Sequence, residues 1–186
     1  MKRHIFLTGD IQVGKSTIIQ KYIAAHPEYR VGGFRTVWKD ERWNNRNTLY
    51  IVPAAGPDML TDNNRIGLRE GVFPDRIATD YPEVFNTAGV ILLRHPENYD
   101  FILVDEIGIG ENTADVFQKA VLSVLDGDTP VLGVVRDKPG VLTDAVREHP
   151  NVQTIVVTVE NREDVLKALL DMNESVRYPV LSSTTG

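Results

Sequence analysis

The clearest chemical signal is a run of nine residues, Gly9-Asp10-Ile11-Gln12-Val13-Gly14-Lys15-Ser16-Thr17, which reads G-x-x-x-x-G-K-S-T. The glycines let the backbone curl until several N–H groups converge on one anion. A helix beginning at the lysine adds the positive end of its dipole. In such a loop Lys15 reaches the β- and γ-phosphates of a nucleotide, and the Ser16 hydroxyl is a ligand for Mg²⁺. All of Gly9 to Thr17 is therefore assigned to nucleotide binding, with Lys15 also catalytic. The competing reading is a Gly-rich turn that only joins two elements. Four fixed positions in a strand–loop–helix context argue against it.

A second constellation lies downstream. Asp105-Glu106 directly follows the apolar run Phe101-Ile102-Leu103-Val104. Asp105 is placed to hold Mg²⁺, through water, opposite Ser16. Glu106, one residue further, is placed to accept a proton from an attacking water. Acids often end strands, so this reading depends on the phosphate loop upstream. Arg35 and Arg136 also stand at strand ends, as weaker candidates. The four histidines, His4, His26, His95 and His149, lack metal-ligand spacing and read as structural or exposed. Trp38 and Trp43 flank a polar stretch, where hairpin packing competes with stacking on a base.

The elements that must position these groups follow from periodicity. His4 to Thr8 is a buried-strand run, and Lys15 to Ala25 is helical, with Pro27 just past its end. Val31 to Trp38 and Thr48 to Val52 read as strands joined by a polar loop over Lys39 to Asn47, hence a hairpin. Pro53 to Asn64 reads as a loop, either covering a ligand or a plain surface excursion. Short strands are expected within Asn64 to Phe73 and Arg76 to Thr79. Pro82 opens a helix whose face carries Phe85, Ala88, Gly89 and Leu92, closed by Pro96. Phe101 to Val104 is a strand covered on both faces. Thr113 is the expected cap of a helix striped by Val116, Phe117, Ala120, Val121, Val124 and Leu125. Val131 to Val135 and Val152 to Val159 are strands, with a short helix over Val141 to Glu148 between them. Asn161 is the expected cap of a last helix with Val165, Leu166, Leu169 and Leu170 facing inward. Strands alternating with helices imply an α/β, three-layer fold: an open, mainly parallel sheet, helices on both faces, and an added antiparallel hairpin. Ligands of such sheets bind beyond the carboxyl ends of strands, where Gly9 and Asp105 both fall.

The 186 residues fit one domain, 1–172, with a polar tail, 173–186. A net charge of −6, from 20 basic and 26 acidic residues, argues against broad binding to nucleic acid or to anionic membranes. There are no cysteines, which removes disulfides and thiolate metal sites. No apolar run approaches the roughly 18 residues of a membrane helix. These features together point to a cytoplasmic protein. Its expected partner is a nucleoside triphosphate, ATP or GTP, and no protein partner is identified.

The chain resembles the THEP1-type nucleoside-triphosphatases, small P-loop proteins of the RecA-like branch. The likeness rests on Gly9 to Thr17, Gly33-Phe34-Arg35-Thr36 and Asp105-Glu106-Ile107-Gly108, with Glu111 and Phe117 at the family's spacing. It continues through Pro130-Val131-Leu132-Gly133 and Asn161-Arg162. The family's Pro-Gly within the loop is replaced here by Ile11-Gln12, and its Lys after Asp-Glu-Ile-Gly by Ile109. A Gly-Lys-Tyr-like stretch is not found around Arg76 to Tyr81. The resemblance implies Mg²⁺-dependent hydrolysis of ATP, GTP or related triphosphates. It also brings in Arg162, at the start of the last helix, as a cation for the γ-phosphate in the transition state, against an ordinary exposed arginine. Two rivals share the nucleotide site. One is a small nucleoside or nucleotide kinase with an acceptor pocket under Pro53 to Phe73. The other is a slow nucleotide-dependent switch.

Overall fold

Three of the most apolar runs, β1 (His4–Thr8), β6 (Phe101–Ile107) and β7 (Val131–Val135), lie next to one another within an eight-stranded sheet. The structure is a computed structural model and describes residues 3–41, 45–71, 77–108 and 113–177. The other strands are β2 (Val31–Glu41), β3 (Arg46–Pro53), β4 (Arg65–Glu70), β5 (Ile77–Asp80) and β8 (Val152–Val156). The spatial order is β5-β4-β3-β2-β6-β7-β1-β8. Strands β2, β6, β7, β1 and β8 run parallel. Strands β3, β4 and β5 continue antiparallel from β2, so the expected hairpin is a longer meander. One consequence matters for the site: β7 lies between β1, which feeds the phosphate loop, and β6, which carries Asp105 and Glu106.

Successive strand residues point to opposite faces, so Phe6 and Leu7 belong to different cores. On one face α1 (Lys15–Ala25) and α6 (Arg162–Arg177) bring Ile18, Ile19, Val165 and Leu169 against Leu7, Leu103, Leu132 and Val134. On the other face, Phe85 packs beside the helices α4 (Asp115–Asp126) and α5 (Val141–Glu148). With Phe117, Val121, Leu142 and Val146 it covers Phe6, Phe34, Ile102 and Val104. This is the expected three-layer arrangement. Among the described residues no helix is long and apolar enough to cross a membrane.

Several local expectations are corrected. Lys39 to Asn47 is not all loop: β2 runs on to Glu41 and β3 starts at Arg46, paired through Lys39↔Thr48 and Asp40↔Asn47. Ladder pairing satisfies the backbone whatever the side chains are, so a polar, exposed ribbon is stable once its neighbours are in place. The two short strands are β4 and β5, with Arg76 outside the described residues. The helix opened by Pro82 is short α2 (Pro82–Val84), a π turn over Phe85–Gly89, and α3 (Val90–Leu92). Thr113 does not cap α4. The N-cap is Ala114, and the N–H groups of Val116 and Phe117 donate to Asn86 Oδ1, each at 3.0 Å. The cap thus comes from another element, which no local pattern reveals. Asn161 stands where expected, and its carbonyl accepts from Val165 N. Its side-chain oxygen instead accepts from Thr158 N at 2.8 Å, closing the turn before α6.

His4 has the structural role read for it. It is fully buried, Val131 N donates to its Nδ1, and its Nε2 therefore carries the proton and donates to Leu125 O at 2.9 Å. Burial pushes its pKa down, which keeps the ring neutral.

Candidate phosphate site at the edge of the sheet

The loop leaves β1 through two glycines with left-handed backbone, Gly9 at φ 119° and Gly14 at φ 106°. A Cβ on Gly9 would lie 2.3 Å from the carbonyl oxygen of Val157, so only glycine fits there. Gln12 also takes a positive φ, 67°, at the position where the THEP1-type loop carries glycine. Helix α1 then begins with no capping side chain and no acidic residue in its first turn. Its unpaired first-turn N–H groups and its dipole face the loop, as an anion site requires.

Lys15 folds back over this loop. Its Nζ donates to Gly9 O at 2.7 Å and Asp10 O at 2.6 Å. Burial lowers its pKa, and the nearby charges of Glu106 and Asp10 oppose that shift. The lysine is thus held in position by carbonyl dipoles. Ser16 and Thr17 occupy the exposed start of α1.

Asp105 and Glu106 sit on a bulge. The β6–β7 register passes from Val104↔Gly133 to Ile107↔Val135, so β6 spends one residue more than its neighbour. In an unbroken strand these adjacent carboxylates would point to opposite faces, and a bulge re-aims them. Asp105 Oδ2 accepts from Thr36 N at 2.8 Å and from Thr36 Oγ1 at 3.0 Å. Burial pushes the Asp105 carboxyl up, and the two Thr36 hydrogen bonds pull it back. Glu106 Oε1 accepts from Arg136 Nε at 2.5 Å. Arg35, the residue before Thr36, pairs with Asp58 and donates to Gly56 O, which ties the 53–64 loop to the same edge.

The structure therefore brings Lys15, Asp105 and Glu106 to one edge and adds Thr36 and Arg136. Thr36 entered the sequence reading only as part of a resemblance, and Arg136 only as a strand-end arginine. The parallel order of the strands was the signal that could have promoted them, because it puts the middle of β2 and the end of β7 on either side of the acidic end of β6. Arg162 is placed differently. It opens α6, the helix that follows β8, and β8 pairs with β1 on the side away from β7. Its side chain runs past Gly14, with Cδ 3.5 Å from where a Cβ would stand. With Thr17, Ile18, Lys21 and Leu166 it lines a cavity of about 180 Å³ between α1 and α6. Trp38 is half exposed on β2, opposite Leu49. Trp43, Ile109 and Glu111 lie outside the described residues.

Among the described residues no three His, Cys, Asp or Glu side chains stand together as a metal cluster. A cation here would have the Ser16 hydroxyl and the Asp105 carboxylate, which are hard oxygen donors suited to Mg²⁺, and would take its other ligands from phosphate and water. The half-buried Asp105, with one oxygen fixed by Thr36, fits that use.

Comparison with known proteins agrees with the geometry. A family model, NTPase_1, described as NTPase, matches residues 4–170. The Nucleoside-triphosphatase THEP1 of Methanopyrus kandleri is 29% identical, with 92% of this chain and 95% of that protein covered. The solution structure of a human cancer-related nucleoside triphosphatase superposes with a TM-score of 0.70 at 25% identity, covering 95% of this chain and all of that one. The crystal structure of THEP1 from Aquifex aeolicus shares the fold, with a TM-score of 0.69 at 20% identity over 91% of this chain and 98% of that one. The family match runs from the first residue of β1 into α6 and takes in both the phosphate loop and the acidic bulge, so the chain belongs to the NTPase_1 family of nucleoside-triphosphatases.

Proposed function

We propose that the protein hydrolyses ATP, GTP or related triphosphates in a Mg²⁺-dependent reaction, giving the diphosphate and phosphate. The observation that carries this reading is the placement of Lys15 and Glu106. A phosphate-binding cation on the loop after β1 and an acceptor of protons on β6 lie at the same edge of the sheet, with only β7 between their strands. The loop N–H groups and the α1 dipole hold the phosphates. Lys15 exchanges the Gly9 and Asp10 carbonyls for the β- and γ-phosphate oxygens. Glu106 orients a water and takes its proton as the water oxygen bonds to the γ-phosphorus and the bond to the bridging oxygen breaks. The diphosphate leaves with that oxygen. Ser16 and Asp105 would hold Mg²⁺, which neutralises charge building on the phosphates.

The test is phosphate release from ATP, GTP, CTP and UTP, with Mg²⁺ and with chelator, in the presence and absence of nucleoside and nucleotide acceptors. Free phosphate, produced equally with and without acceptor and lost on chelation, is the expected result. Transfer of γ-label to an acceptor would make the protein a kinase and overturn the hydrolase reading.

Arg162 enters this scheme on the nucleoside side. Its position against Gly14 and beside Thr17, in the cavity between α1 and α6, favours contact with the α-phosphate or the nucleoside over the γ-phosphate. Arg162→Ala should weaken ADP and ATP binding alike, by about tenfold, the scale of one charge-assisted hydrogen bond. Turnover at saturation should stay within about threefold, because uniform binding is what is lost. A large fall in kcat with unchanged affinity would return Arg162 to the γ-phosphate.

A further inference from the structure

The Arg136–Glu106 pair joins the proposed base to a cation that nothing above has used. Arg136 follows β7 directly, and β7 lies between the strand of the phosphate loop and the strand of the acidic bulge. Its backbone is fixed on both sides. Arg136 N donates to Ile107 O at 3.0 Å, and its carbonyl accepts from Arg147 Nη1 at 3.0 Å. Arg147 also donates to Lys138 O and pairs with Asp144, which anchors the turn to α5. The side chain lies over Gly108, where a Cβ would come within 3.3 Å of Cδ and Nε. A fixed backbone thus presents a guanidinium to Glu106 from the end of the strand next to β6.

The pairing with Glu106 has a consequence. The guanidinium occupies Glu106 Oε1, so that oxygen is not open to a water while the pair stands. The pair is also solvent-accessible, with side-chain exposures of 47% and 38%. Such pairs shift an equilibrium by about fivefold at most. A triphosphate with several negative charges and bidentate oxygen edges competes strongly for the same guanidinium. Of the other arginines near this edge, Arg35 is engaged by Asp58 and Gly56, and Arg162 lies against Gly14 and the cavity between α1 and α6.

We propose that Arg136 is a catalytic switch residue. Without nucleotide it holds Glu106. When a triphosphate binds, it moves to the γ-phosphate, releasing Glu106 to act on water and stabilising the charge of the transition state from within the same chain. A diphosphate, lacking the γ-phosphate, leaves the pair in place. The inference rests on the hydrolase reading of the site and adds a gate to it.

The experiment compares ADP with a non-hydrolysable ATP analogue, by displacement of a fluorescent nucleotide, and follows single-turnover hydrolysis of ATP. Arg136→Gln should leave ADP affinity within about twofold and weaken the analogue about tenfold. It should slow hydrolysis by about 10³-fold, the lower end of the range for an arginine acting on a γ-phosphate. Arg136→Lys, which keeps the charge, should restore part of the preference for the analogue. Glu106→Gln should tighten analogue binding by up to about fivefold while ADP is unchanged, and the double variant should lose that gain. Equal loss of ADP and analogue affinity in Arg136→Gln, or hydrolysis at the wild-type rate, would overturn the switch. Failure of the underlying reading looks different: Lys15→Ala would then bind and hydrolyse ATP normally, and the switch would fall with it.

Discussion

Lys15→Ala is expected to bring nucleotide turnover close to background, with a fall of at least about 10²–10³-fold, the cost of removing one preorganised group from a developing charge. Triphosphate affinity should drop by about tenfold or more. The reason is electrostatic. The lysine is a compact point charge, and it reaches the β- and γ-phosphates from the start of α1. It rests on the carbonyls of Gly9 and Asp10, which hold it over the loop. The variant loses those two bonds and some loop order, yet opens no core cavity, because Val13, Ile18 and Ile19 carry the local packing. Unfolding free energy should therefore change by less than about 1 kcal/mol. Calorimetry, nucleotide titration and phosphate release test the three parts separately. Wild-type hydrolysis by a folded variant would remove the site assignment.

The parts of the fold and site legible in the sequence were those written in contiguous residues. The phosphate loop is one run of nine, and its flanking strand and helix have clear periods, so Gly9 to Thr17 and α1 were readable directly. Asp105 and Glu106 were readable because a continuous apolar run precedes them. What escaped depends on residues far apart in the chain. The bulge that aims both carboxylates exists only in the β6–β7 register. Thr36 reaches Asp105 across 69 positions, and Arg136 reaches Glu106 across 30. Asn86 caps a helix that starts after residue 113. The β2–β3 ribbon was shortened because Lys39, Asp40 and Asn47 are poor strand formers, and ladder pairing overrides so weak a preference. Arg162 was legible only as an arginine opening the last helix, and its approach to Gly14 depends on how α6 packs on α1.

Glu106→Gln is expected to separate binding from chemistry. The amide keeps the side chain's shape and can still orient water, but it cannot accept the proton. Proton transfer to a positioned base is typically worth about 10²–10⁴-fold. Phosphoryl transfer depends strongly on positioning as well, so the fall should lie in the lower part of that range, about 10²–10³-fold. Affinity should not fall with it. Ser16, Asp105 and Lys15 remain, and loss of the carboxylate weakens its hold on Arg136, so a triphosphate should bind at least as tightly as to the wild type. Asp105→Asn provides the contrast. Asp105 is fixed by Thr36 through one oxygen, and the amide removes the charge that a cation requires. That variant should lose metal dependence and triphosphate affinity together. Nucleotide affinity and single-turnover hydrolysis, each measured across a Mg²⁺ series, distinguish the two. Hydrolysis by Glu106→Gln at the wild-type rate would place the base elsewhere, and a kinase with its base in an acceptor pocket would then account better for the same phosphate loop.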